Sequence, residues 1–176
     1  MLFQKTRIEG PRLITLQEHA DERGFFARTF CERKLADEGL VTHYPQHSVS
    51  YNVRRGTIRG MHFQNAPHGE AKIVRCTAGA IFDVIVDVRQ GSTSFGQWEG
   101  FELSAGNHRQ LYIPEGFAHG FQTLMDATEI SYLISAFHAP FAAMGFPFDD
   151  ATVAIAWPLP ATVMSEKDRM WPALKS

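Results

Sequence analysis

Residues 80–88 read Ala80-Ile81-Phe82-Asp83-Val84-Ile85-Val86-Asp87-Val88, and the fold turns on them. Ala80, Phe82, Val84, Val86 and Val88 alternate with Ile81, Asp83, Ile85 and Asp87, a period of two. Successive side chains therefore leave on opposite faces, as in a β-strand. Asp83 and Asp87 also interrupt the most apolar stretch of the chain, so it is no membrane span. Turns follow at Gln90-Gly91-Ser92, Ser104-Ala105-Gly106-Asn107 and Pro114-Glu115-Gly116. Between them Trp98–Leu103, Gln110–Ile113, Phe117–Leu124 and Thr128–Ser135 have strand length and composition. The clearest helix candidate, Glu32 to Leu40, is short, with Gly39 as its stop. Ser165-Glu166-Lys167-Asp168 opens a second short helix. Many short strands with little helix predict a mainly β fold, an antiparallel jelly-roll β-barrel whose open mouth admits a small ligand.

Composition narrows the function. The chain has 176 residues, which suits a single domain over 1–176 with a core that needs no staples. A formal net charge of −2 offers no field for a phosphate polymer, so nucleic acid is not expected. Cys31 and Cys76 are too few for a disulfide framework or a thiolate zinc site. The start, MLFQKTRIEG, lacks an apolar run long enough for a signal peptide, and the expected location is cytoplasmic. Fourteen Phe supply aromatic area for strands or for a flat-walled pocket.

Several residues could carry chemistry, each with a plain structural reading beside it. His62 lies in Arg59-Gly60-Met61-His62-Phe63-Gln64, and imidazole suits proton abstraction near neutral pH. A lone His on a strand is as readily a packed one, and so is His119 in Phe117-Ala118-His119-Gly120-Phe121. Lys72 in Glu70-Ala71-Lys72-Ile73-Val74-Arg75 could stabilise an anion or merely guard a strand edge. Tyr132 shares a face with Thr128, Ile130 and Ile134, so it points inward as a core residue or a proton donor. Asp168 fits a capping box with Ser165. His62, His68, Glu70 and His119 would suffice for a 2-His-1-carboxylate metal site, but position 64 is Gln and no H-x-H pair exists.

Together these segments resemble the dTDP-4-dehydrorhamnose 3,5-epimerases, the RmlC type of the cupin superfamily. The likeness runs from Asp21-Glu22-Arg23-Gly24-Phe25-Phe26 through Gly56–Gln64, Glu70–Cys76 and Tyr112–Phe121 to Ser165–Asp168. It implies a homodimer exchanging N-terminal strands, a nucleotide-diphosphate sugar substrate, and neither metal nor organic cofactor. It makes His62 the base, Asp168 its orienting carboxylate, Tyr132 the acid on the opposite face and Lys72 the cation beside an enolate oxygen. Arg23, Arg59 and His119 match positions that hold the diphosphate, the sugar or the catalytic geometry. Phe25 matches a base-stacking wall and Gln46 a polar contact near the nucleotide.

Four departures accompany the likeness. His138 replaces a Tyr that steers the sugar between two epimerisations. Arg28 replaces a Glu and Ser48 an Asn at positions resembling nucleobase contacts. Ala142-Ala143-Met144-Gly145 lacks the charges that usually precede that Gly. The alternatives are a monoepimerase or ketoisomerase on another nucleotide, a metal-dependent cupin enzyme, and a non-catalytic sugar-binding module.

Overall fold

The computed structural model describes residues 1–175. Thirteen strands and two short helices follow one another: β1 Leu2–Lys5, β2 Arg12–Thr15, β3 Glu18–Asp21, β4 Gly24–Ala27, α1 Glu32–Asp37, β5 Gln46–Asn52, β6 Ile58–Gln64, β7 Lys72–Ala78, β8 Ala80–Asp87, β9 Trp98–Ser104, β10 Gln110–Ile113, β11 Phe117–Thr123, β12 Thr128–Ile134, β13 Ala143–Gly145 and α2 Glu166–Arg169. β8 is the strand its alternation predicts, and β10 has its expected bounds. α1 ends at Asp37, before the expected Leu40, because the chain turns left-handed at Gly39 with φ +68°. No helix among the described residues is long and apolar enough to cross a membrane.

Two antiparallel sheets form a jelly-roll sandwich. One has the order β1-β2-β10-β7-β12-β5 and the other β13-β6-β11-β8-β9. β3 and β4 form a separate two-stranded hairpin. The inner faces meet in a core of Val74, Cys76, Ile81, Ile85, Leu103, Leu111, Ile113, Phe117, Phe121 and Ile130. The Cys76 thiol sits in it, and burial pushes its pKa up to about 11.

The outer face of the second sheet is covered too, which is why β8 reads as nearly continuous apolar sequence, and that of the first sheet is covered in part. Leu35 of α1 joins Met1, Leu16, Tyr44 and Ile73 outside the first sheet. Phe146, Val153 and Ile155 cover Met61, Val84, Val86 and Ala118 outside the second. Edge strand β5 of the first sheet and β6 of the second, which lies beside the short edge strand β13, line an opening between the sheets, and that opening is the mouth.

Candidate active site

A cleft of about 500 Å³ opens at this mouth. β5 lines it with Gln46, Ser48 and Ser50, β6 with Arg59 and His62, β11 with His119 and Phe121, and β12 with Tyr132 and Ile134. Glu70, Lys72, His138, Ser165 and Asp168 complete the lining. Strand periodicity explains most of these positions. Gln46, Ser48 and Ser50 stand opposite Ile134, Tyr132 and Ile130 in the β5–β12 ladder and share their inward face.

Arg59 and His62 require more than periodicity, since residues three apart on a regular strand face opposite ways. Opposite β11, His62 pairs with His119 and Arg59 with Phe121, so three steps on β6 match two on β11. This bulge at Gly60-Met61 turns Arg59 and His62 into the same cleft. The strands cross closely there. A β-carbon on Gly60, at φ +122°, would lie 2.6 Å from the Gly120 Cα and 2.8 Å from the His119 carbonyl oxygen.

His62 Nε2 lies 2.7 Å from Asp168 Oδ1. Asp168 combines the capping reading with the functional one. Its backbone N–H is capped by Ser165 Oγ at 3.1 Å, while its carboxylate turns to His62 and to the Gly60 N–H. Burial opposes its ionisation, but the His62 interactions, then the Gly60 and Ser165 bonds, outweigh it and hold the carboxyl below its ordinary value.

A second pair lies beside the first, since His119 is the β11 partner of His62: His119 Nε2 lies 2.6 Å from Asp83 Oδ1. Asp83 is fully buried and its Oδ2 has no partner among the described residues. Tyr132 sets its ring edge-on to His119 with centroids 6.2 Å apart. Burial, reinforced by the Asp83 charge, pushes the Tyr132 hydroxyl well above the usual range, so it keeps its proton at neutral pH.

Lys72 Nζ is 2.8 Å from Glu70 Oε1, and Gln64 Nε2 donates to Glu70 Oε2 at 3.0 Å. Gln64 Oε1 accepts the Ala139 N–H at 2.7 Å, while Gln46 Oε1 accepts the His138 N–H at 2.8 Å. The Gln46 carbonyl thus fastens the His138 segment to the rim. Arg59 Nε donates to Asn52 Oδ1 at 2.7 Å. Of the residues weighed for metal binding, His62, His119 and Glu70 engage Asp168, Asp83 and Lys72, and His68 packs edge-on against Phe141.

Arg23, Phe25 and Arg28 do not line the cleft of their own chain. Arg23 and Phe25 ride on the exposed hairpin, and Arg28 follows β4. Arg23 pairs with its neighbour Asp21. Glu18 bonds His108 at 2.6 Å, and the Phe25 ring packs on the same His108 at 4.7 Å. His108 precedes Gln110, which pairs with Arg75, so the hairpin is anchored away from the Lys72 end of β7.

Sequence reasoning did not assign Asn52, Asp83 or Gln64 to the site. Asp83 did carry a signal, as a charge sharing its strand face with Ile81 and Ile85.

The family model for dTDP-4-dehydrorhamnose 3,5-epimerase matches residues 5–176. A dTDP-4-dehydrorhamnose 3,5-epimerase from Sinorhizobium fredii is 44% identical, over 99% of this chain and 90% of its own. A dTDP-4-dehydrorhamnose 3-epimerase from Streptomyces niveus is 38% identical, over 96% of this chain and 82% of its own. Among solved structures, the dTDP-4-dehydrorhamnose 3,5-epimerase of Bacillus anthracis, with TDP and PPi bound, superimposes with a TM-score of 0.94. It is 41% identical, and the match covers 98% of this chain and 99% of that one.

Proposed function

Because the chain belongs to the dTDP-4-dehydrorhamnose 3,5-epimerase family of isomerases, we propose that it inverts C3, C5 or both in a dTDP-4-keto-6-deoxyhexose. The observation that carries this reading is the grouping of His62–Asp168, Lys72 and Tyr132 around one cleft. The adjacent carbonyl acidifies the hydrogens on C3 and C5. His62 removes one such proton, and Asp168 steadies the imidazolium that results. The electron pair moves onto the carbonyl oxygen as an enolate, which the Lys72 ammonium stabilises. Tyr132 then delivers its proton to the same carbon from the other side, and the centre inverts.

General base catalysis contributes roughly 10²–10⁴-fold and one well-placed oxyanion donor roughly 10²–10³-fold, so the reaction needs both. Arg59 takes the diphosphate, and His119, held by Asp83, contacts the sugar.

A homodimer belongs to the same proposal. Val49, Tyr51 and Val53 are exposed in alternation on and just beyond edge strand β5, and Phe26 is exposed on the hairpin. On the same outer face, Arg75 Nε and Gln110 Oε1 are buried without partners among the described residues. A second copy covering this face would supply partners and bring its own Arg23, Phe25 and Arg28 toward the neighbouring cleft.

The deciding experiment offers 4-keto sugars on dTDP, UDP, CDP and GDP in deuterated water. Inversion with deuterium at both C3 and C5 marks a 3,5-epimerase, and at one centre a monoepimerase. No exchange into any of them overturns the reading.

A further inference from the structure

The cleft holds a cation near each end, and they are not equivalent. Arg59 bonds Asn52, which stands opposite Thr128 at the start of β12. Lys72 stands opposite Ile134, at the end of β12. Six strand steps separate Thr128 from Ile134, about 20 Å at the usual rise. Along β6 the order is the same: Arg59, then His62, then Gln64, whose amide reaches Glu70. Arg59 has no carboxylate partner among the described residues, whereas Lys72 is matched by Glu70 at 2.8 Å, with both side chains nearly buried. Gln64 holds the second Glu70 oxygen and is itself held by the His68 carbonyl and the Ala139 N–H, so the carboxylate cannot swing away.

We infer that Glu70 sets the register of the substrate in the cleft, neutralising Lys72 so that a diphosphate cannot settle at the reacting end. The inference rests on the nucleotide-sugar reading above. A lone charge acts over distance as 1/r, and inside a poorly solvated cleft it would attract any phosphate strongly. A tight ion pair acts as a dipole whose field falls faster. It still stabilises an oxygen in contact with the ammonium, but offers little to an anion several ångströms away. The unpaired positive end at Arg59 then takes the phosphates, which leaves the keto sugar at His62, Lys72 and Tyr132. Glu70 is thus a positioning residue acting through Lys72.

Pyrophosphate binding, measured by calorimetry on the intact protein, tests this without turnover. Glu70→Gln should bind pyrophosphate about five- to ten-fold more tightly than wild type at low salt. The gain should shrink as salt screens it. With the nucleotide sugar, kcat should fall without a rise in KM, because substrate also binds in the wrong register. The double variant Glu70→Gln, Lys72→Met should lose the extra affinity. Glu70→Ala provides a second charge removal should the Gln variant fail to fold.

Unchanged or weaker pyrophosphate binding in the folded variants would overturn the inference, as would a gain that persists without Lys72. A wild type inactive on every 4-keto sugar would instead sink the epimerase reading, leaving the titration to decide the role of Glu70.

Discussion

His62 and Asp168 are separated by 106 residues in the chain and by 2.7 Å in space. A four-residue helix near the C-terminus carries the carboxylate into the mouth of the sandwich, against a strand from its middle. The pairing engages Nε2 of the imidazole and leaves Nδ1 for other contacts. It also keeps Asp168 ionised wherever the pH is near neutral, because its bonds outweigh its burial.

Replacing Asp168 by Asn keeps the shape and removes the charge. We expect kcat to fall about 10²–10⁴-fold with little change in KM, measured by initial rates. A loss under two-fold would show that His62 needs no orienting carboxylate. The stability effect has a definite sign. The folded-state value is depressed, so the Asp168 contribution is present above the unfolded value of about 4 and disappears as pH falls through the lower folded value. Urea midpoints of wild type and Asp168→Asn should therefore differ at pH 7 and converge in acid.

Tyr132→Phe separates the two proton transfers. His62 can still remove the proton and return a deuteron to the same face. Solvent deuterium should enter recovered substrate while inversion drops at least about 10²-fold, as NMR of substrate and product would report. Inversion at the wild-type rate would remove Tyr132 from the chemistry.

Gly60→Ala tests the bulge. The added β-carbon meets the backbone of β11, which cannot yield as a flexible side chain can. We expect a loss of about 2–4 kcal/mol in chemical denaturation, from overpacking and a disfavoured φ together. Activity should fall further than stability at temperatures where the variant is folded, because Arg59 and His62 flank the site. A neutral effect on both would contradict the close crossing.

Tyr51→Lys puts a charge on the outer face of edge strand β5. It should give a monomer by light scattering and weaken nucleotide-sugar binding, since the neighbouring hairpin would be lost. An unchanged mass would place the subunit contact elsewhere.

Much of the framework is local and was legible. The alternation across Ala80–Val88 predicts β8, and Gln110–Ile113 has its exact bounds as β10, because a strand's period depends only on neighbouring residues. The short N-terminal strands escaped pattern reading, since four residues such as Leu2–Lys5 offer too few alternations. Motif order brought His62, Lys72, Tyr132 and Asp168 together as candidates.

Their pairing was not legible, because it depends on register between strands distant in the chain. One bulge overrides the odd spacing of Arg59 and His62. Burial gives Asp83 to His119, and Glu70, considered in the sequence as a metal ligand, spends its charge on Lys72. Local pattern was enough for strands such as β8 and β10 and for the kinds of side chain on offer. Only the tertiary structure decided which charges meet, since an ion pair in a cleft is set by packing from several strands at once.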